Sequence, residues 1–220
     1  MVVRVTVVKT GNIGTAPILE LLLDERADRE NLDVRVITSG AKLGDNEAEE
    51  ITRIAKDVAT DLYITVSPNA ALPGPKKVRE SLAETGKPVI VVSDGPAKKI
   101  KDELKEKGFG YIIVMYDPMI GARREFLDPA EMAIFNGYLL VLFAETGLFT
   151  LMVTEIDKTI NAIEKGESPE LPQIVVTPKK AAETAGFTNP YALTKAIAAG
   201  TIAEKISDVT VTACFKTKER

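Results

Sequence analysis

The sequence predicts an α/β protein: a doubly wound, mostly parallel sheet followed by a helical region and a small β-sheet. Two observations predict it. In the first half, short runs rich in valine and isoleucine alternate with amphipathic stretches of helical period. Buried runs joined by crossover helices make parallel sheets. After Asp117 the alternation stops and longer apolar stretches of helical period take over. The expected division is an α/β domain over residues 1–127 and a helical region with a small sheet over 128–220. The chain has 220 residues, 45% of them hydrophobic, enough to fill a core in each part.

The elements follow in order. Residues 2–8 form a buried strand, and Gly11-Asn12-Ile13-Gly14 separates it from a helix carrying Ile18, Leu19, Leu22 and Leu23 on its apolar face. Residues 34–37 make the second strand. A helix over 46–58 places Ile51, Ile54, Ala55 and Val58 on one face. Residues 62–66 are the third strand, ending in Ser67-Pro68-Asn69. Pro75 is expected at the first position of the next helix, where its missing N–H costs nothing. Residues 89–92, a solvated lysine-rich helix over 98–107 and a fifth strand over 111–115 complete the half.

In the second half, Asp128 can cap a helix, with Pro129 at its first position and Glu131 completing a capping box. Helical period continues to Lys165, with breaks expected at Gly137 and Gly147 and a stop at Gly166. Phe135, Tyr138, Leu139, Leu142 and Phe143 read as core or interface. Asn189-Pro190 opens another helix through Ile197 and Ile202. Residues 209–215 alternate like a closing strand that could pair with Val175-Val176 as the small second sheet.

Composition narrows the function. A net charge of -4 disfavours bulk binding to nucleic acid or an anionic membrane. Histidine is absent and Cys214 is the single cysteine, so histidine triads, His- or Cys-based metal sites and an internal disulfide are excluded. No metal and no strong catalytic base are expected. No signal peptide is apparent. The longest apolar stretch, 134–143, is interrupted by Asn136 and Gly137 and is too short to span a bilayer, so a cytoplasmic location is expected.

Candidate binding residues gather in loops after the strands. Gly11, Asn12, Ile13, Gly14 and Thr15 combine a close-approach turn with a helix start, which suits an anion; a plain tight turn fits equally. The second strand ends in Thr38-Ser39-Gly40 and not in the acid an ordinary NAD site needs. Ser67-Pro68-Asn69 and Pro73-Gly74-Pro75 read as a rigid loop or a pocket wall, and Ser93-Asp94-Gly95-Pro96 follows the fourth strand alike. Asp117 to Asp128 is the most unusual segment. Its paired Arg123 and Arg124 can fork onto carboxylate or phosphate, or serve a structural ion pair or a subunit contact. Lys76-Lys77 and Lys98-Lys99 read as solvated faces.

The runs GNIGT (11–15), LLLDERADR (21–29), SGAK (39–42), SPN (67–69), PGP (73–75), GYIIV (110–114), DPMIGARREFLDP (117–129), LPQIV (171–175) and NPYA (189–192) together resemble the coenzyme F420-dependent methylenetetrahydromethanopterin dehydrogenase family, in order and over essentially the whole chain. The resemblance implies reversible hydride transfer between F420, a noncovalent deazaflavin cofactor with a phosphodiester and a glutamate tail, and methenyl- or methylene-tetrahydromethanopterin. It also implies a homo-oligomer, dimer-based or hexameric. A non-catalytic or divergent paralogue that binds F420 or a pterin is the alternative. Carried over, Gly11, Asn12, Ile13, Gly14 and Thr15 fall on the cofactor side, with Ser39, Ser67, Pro68, Asn69 and Asp94. Asp117, Pro118, Arg123, Arg124 and Glu125 fall on the pterin side or at a subunit contact. No residue is implied as a chemical catalyst. Three departures stand out. Ala16 replaces an expected serine, Met115-Tyr116 replaces an expected Lys-Ala, and the chain ends several dozen residues before the family's helical C-terminal extension does.

Overall fold

The structure is a computed structural model that describes residues 1–24, 29–118 and 128–212. Six strands form one sheet: β1 (Val3–Lys9), β2 (Leu32–Thr38), β3 (Leu62–Ser67), β4 (Val89–Asp94), β5 (Gly110–Val114) and β6 (Gln173–Val176). Their order is β2-β1-β3-β4-β5-β6 and every neighbouring pair is parallel. The helices are α1 (Ala16–Asp24), α2 (Asp45–Asp57), α3 (Pro73–Ala83), α4 (Lys101–Glu106), α5 (Pro129–Glu145), α6 (Leu148–Glu164), α7 (Pro178–Thr184) and α8 (Pro190–Val211).

Side chains alternate across a pleated strand, so a sheet covered on both faces needs apolar residues at nearly every position. β3, β4 and β5 are buried throughout. On one face Val5, Val7, Ile64, Val92 and Ile112 pack beneath α1, α5, α6 and part of α8. On the other, Val8, Tyr63, Val91, Tyr111 and Ile113 pack beneath α2, α3 and α4. Helices on both faces confirm the doubly wound arrangement. Residues on both sides of position 127 share the first of these cores.

Several elements differ from expectation. The Val175-Val176 pair does not seed a second sheet. It lies in β6 and extends the main sheet, pairing Val114 with Val176. The edge of β5 offers free backbone groups there: Tyr111 N–H donates to Pro172 and Met115 N–H to Val176. Residues 209–211, expected as a closing strand, continue α8, which Asn189 caps by accepting from the Tyr191 N–H at 2.8 Å. Local β-branched preference is weak against propagation of a capped helix; residues 213–215 and Cys214 lie outside the described residues.

The helix pair α5–α6 breaks at Gly147, whose φ of 88° favours glycine, and not at Gly137, which sits in uninterrupted helix. Helix α3 starts at Pro73, so Pro73-Gly74-Pro75 is a first helical turn and not a loop. Residues 95–100 wind as a 3-10 helix, leaving α4 shorter than expected. In α2 the buried residues are Ala48, Ile51, Thr52 and Ala55. Ile54 is 41% exposed because it lies about 100° around the helix from that stripe's centre. No single helix among the described residues is long and apolar enough to cross a membrane.

Candidate functional site

The strand order reverses between β1 and β3, and open α/β sheets bind ligands outside the carboxyl ends of the strands at such a point. The turn after β1 lies there. Gly11 has φ 76°, and a Cβ on it would come within 2.6 Å of Leu43 and 3.3 Å of Pro68. The loops after β1, β2 and β3 therefore close on one another at Gly11. Ser39 secures the second of them: its N–H donates to the Lys9 carbonyl at 3.1 Å and its hydroxyl to the Lys42 carbonyl at 2.7 Å. Gly74 completes the contact, since a Cβ there would fall 2.2 Å from the Leu43 carbonyl oxygen.

The loop after β3 is braced by polar groups. The Ser93 hydroxyl donates to the Ser67 carbonyl at 2.7 Å and accepts from the Ala70 N–H at 3.0 Å. Asn69 Oδ1 accepts from the Ala71 N–H at 3.0 Å. Arg79, 1% exposed on α3, donates through Nη1 to the Ala70 carbonyl. Among the described residues its Nε and Nη2 have no hydrogen-bond acceptor, and Nη2 lies 3.8 Å from Glu103.

Beside the Gly11–Thr15 turn stand two buried carboxyl groups. A Cβ on Gly14 would lie 2.7 and 2.8 Å from the Asp117 carboxylate oxygens and 2.9 Å from Leu139 of α5. Asp117 is near enough to Asp94, the last residue of β4, for its charge to act on it. Burial and, second, the Asp117 charge push the Asp94 carboxyl well above the ordinary carboxylate range. Among the described residues, neither Asp94 oxygen has a hydrogen-bond partner, and the buried Thr15 Oγ1 and Asn136 Oδ1 also lack partners. Buried polar groups are normally paired. Thr15 adjoins Gly14 in the chain, and Asn136 is one turn before Leu139 on α5, so the unsatisfied atoms mark this edge for a polar ligand or water.

The structure thus joins Gly11, Gly14, Pro68, Asp94 and Asp117, and it places Ser39 and Ser67 in supporting roles. Asn12 is exposed, whereas Ile13 is 3% exposed and its side chain belongs to the core beneath α1. Pro118 is buried. Arg123, Arg124 and Glu125 lie outside the described residues. Of the two unexpected residues before Asp117, Tyr116 is fully buried, its hydroxyl 3.1 Å from that of Thr146 and its ring edge-on to Phe143. Met115 covers Gly95, whose Cβ would lie 3.4 Å from the methionine methyl. Sequence reasoning missed Arg79 and Leu43; it named Ser93 in the loop after β4 and read Leu139 as core or interface, where the structure places it. Arg79 carries no local signal, being surrounded by lysines and glutamate that read as a solvated face.

Comparison with known proteins agrees over the whole length. Residues 3–220 match the family described as methylene-5,6,7,8-tetrahydromethanopterin dehydrogenase. An F420-dependent methylenetetrahydromethanopterin dehydrogenase of Archaeoglobus fulgidus is 59% identical over 219 residues, covering 100% of this chain and 79% of the relative. The protein of the same name from Methanocaldococcus jannaschii is 51% identical, with the same coverage. A solved structure of F420 dependent methylene-tetrahydromethanopterin dehydrogenase, in complex with methylene-tetrahydromethanopterin and coenzyme F420, superposes with a TM-score of 0.92 at 41% identity. It is matched over 100% of this chain and 81% of that one.

Proposed function

The chain belongs to the methylene-5,6,7,8-tetrahydromethanopterin dehydrogenase family, and we propose that it catalyses reversible hydride transfer between coenzyme F420 and methenyl-/methylene-tetrahydromethanopterin. The observation that carries the reading is the whole-chain superposition on a relative solved with both ligands. The residues fit the cofactor: a close-approach turn stands at the switch point, and buried polar atoms of Thr15 and Asp94 lack partners beside it.

When bound, F420 supplies the ring carbon that takes or gives the hydride. The chain's own task is to hold two rings in register and keep water out, which is catalysis by orientation. A methenyl carbon is already cationic, so hydride addition to it needs no protein acid, in keeping with a histidine-free chain. In this proposal Gly11, Asn12, Gly14 and Thr15, with the backbone of Ile13, receive the cofactor through main-chain groups. Ser39, Ser67, Pro68 and Asn69 form the wall held by Ser93 and Arg79. Asp94 supports the wall from β4. Asp117 and Pro118 face the pterin, where a carboxylate favours the cationic methenyl form; Arg123, Arg124 and Glu125, outside the described residues, are proposed as further pterin-binding residues.

The assembly is proposed as a homo-oligomer that uses α5. Ile134, Tyr138 and Val141 are 59%, 70% and 52% exposed and follow one face of a helix whose opposite face already covers the sheet. A helix apolar on both faces calls for a second partner, and a second copy of the chain is the one proposed. A cytoplasmic location is proposed with it.

The test follows absorbance as reduced F420 is oxidised by methenyl-tetrahydromethanopterin. Turnover above a protein-free control is expected. Folded protein that gives no turnover at saturating ligand would overturn the catalytic reading, and a fluorescence titration with oxidised F420 would then show whether binding survives.

A further inference from the structure

Lys9 ends β1 at the switch point, flanked in register by Thr38 of β2 and Val66 of β3. Its backbone is fixed there, because the Ser39 N–H donates to the Lys9 carbonyl at 3.1 Å. Side chains alternate along a strand. Val5 and Val7 belong to the core beneath α1, so Lys9 lies on that same side of the sheet, at its carboxyl end.

The chain does not answer this charge. Lys42, Lys77 and Lys87 are paired with Glu47, Glu49 and Asp61. Among the described residues the Lys9 ammonium has no ion pair and no hydrogen bond, and every other lysine in that condition is exposed, whereas Lys9 is half-buried. Its stem is covered while its ammonium still reaches solvent, the arrangement of a cation presented to a solute.

The neighbouring helix start points to an anion as well. Thr15 immediately precedes α1 and is 0% exposed. Its hydroxyl has no partner among the described residues, so it caps none of the first N–H groups of that helix. Asp128, Thr177 and Asn189 do cap α5, α7 and α8 from the same position. Uncapped N–H groups at the positive end of a helix favour an anion. Nothing else described at the switch point supplies a free cation. Residues 10–15 and 68–72 hold no ionisable group, and Lys42 is held by Glu47 at 3.4 Å. The acids Asp94 and Asp117 stand at the same edge, in a chain of net charge -4, so an anionic ligand needs a local cation.

We propose that Lys9 receives the phosphodiester of coenzyme F420, its ammonium pairing with a phosphate oxygen while the start of α1 offers backbone N–H groups to the same anion. This rests on the function proposed above. A diester joins two parts of a molecule, here the ring side and the glutamate tail. It is therefore the anion that can lie at a close-approach turn while the multiply charged tail stays in water.

Fluorescence titration with oxidised F420 should show Lys9→Met weakening binding by about tenfold or more, the order of a hydrogen bond to a charged group. Added salt should weaken wild type more steeply than the variant, and Lys9→Arg should recover most of the affinity. The deazaflavin with its sugar-alcohol chain but no phosphodiester should bind both proteins alike. Unchanged F420 affinity in Lys9→Met overturns the proposal. An equal loss for the phosphate-free ring overturns the assignment to the phosphodiester. Thermal melts separate binding from folding: Lys9→Met should melt within about 2 °C of wild type, and a larger fall would make Lys9 structural. Inorganic phosphate, against chloride of matched ionic strength, should raise the Tm of wild type and not that of Lys9→Met. An equal response overturns the anion site without any need for cofactor. If phosphate discriminates between the two proteins while wild type binds no F420, the anion site stands and the functional reading falls.

Discussion

Two aspartates at opposite ends of the same sheet live under opposite electrostatics. At the amino edge, Asp61 precedes β3 and accepts three bonds from Arg4, from its backbone N–H at 3.0 Å, Nε at 2.9 Å and Nη2 at 3.0 Å; Lys87 lies 3.7 Å away. The Arg4 hydrogen bond holds the Asp61 carboxyl below its usual range. Nearby the Thr6 and Thr60 hydroxyls pair at 2.6 Å. At the carboxyl edge, neither Asp94 oxygen has a hydrogen-bond partner among the described residues, and burial drives its carboxyl the other way. One end satisfies its polar groups and closes the fold. The other leaves polar groups unsatisfied and buried, a cost that a fold keeps where a ligand repays it.

The largest effect should come from filling the carboxyl edge. Gly14→Val would drive carbons into the Asp117 carboxylate and Leu139. F420 affinity should fall by about 100-fold or more, equivalent to ~2.7 kcal/mol, in a fluorescence titration; retained affinity would remove Gly14 from the binding turn. Next, Arg79→Ala strips the donor from the Ala70 carbonyl and opens the brace of the Ser67–Ala70 loop. A loss of about 2 kcal/mol in denaturant unfolding is expected, as for a buried group left unpaired, with a raised KM for F420. A stability loss without any change in KM would make Arg79 purely structural.

Asp61→Ala should lower Tm by about 3 °C at neutral pH, the shift of a modest stability change in a chain of this size, and leave F420 affinity unchanged. The Asp61 contribution is present above the ordinary aspartate value and lost as pH falls through its lowered folded value. The difference from wild type should therefore shrink in acid; a difference that stays constant as pH falls would remove the Arg4 pairing as its cause. The smallest effect on folding belongs to Tyr138→Lys on the exposed face of α5. Stability should stay within about 0.5 kcal/mol, while light scattering shows a smaller assembly. An unchanged mass would move the subunit contact elsewhere.

The alternation of buried strands and amphipathic helices was readable because the central strands β3, β4 and β5 are buried on both faces, which short continuous apolar runs report directly. The Asp128 capping box formed as read, with Asp128 Oδ1 accepting from Glu131 N–H at 2.9 Å and Glu131 reaching back to the Asp128 N–H at 3.0 Å. The fate of Val175-Val176 was not readable. Three apolar residues, Ile174, Val175 and Val176, announce a strand but say nothing about which edge they join. The β-branched run at 209–211 misled because a helix already capped and packed overrides local preference. Asp94 and Asp117 were both legible as loop candidates, though assigned to different ligands. Their proximity depends on neighbouring strand ends and on no spacing in the sequence.

By itself, then, the sequence determined the strand–helix alternation, the helix caps, the absence of histidine chemistry and the gathering of candidate residues after strands, since each depends on local period or residue type. Only the tertiary structure decided that β6 completes the sheet, that Arg79 is buried beneath a loop, that Tyr116 turns into the core, and that the Asp117 carboxylate lies against Gly14. Those are relations between segments distant in the chain, and they follow from how strands stack side by side and which loops then share one edge.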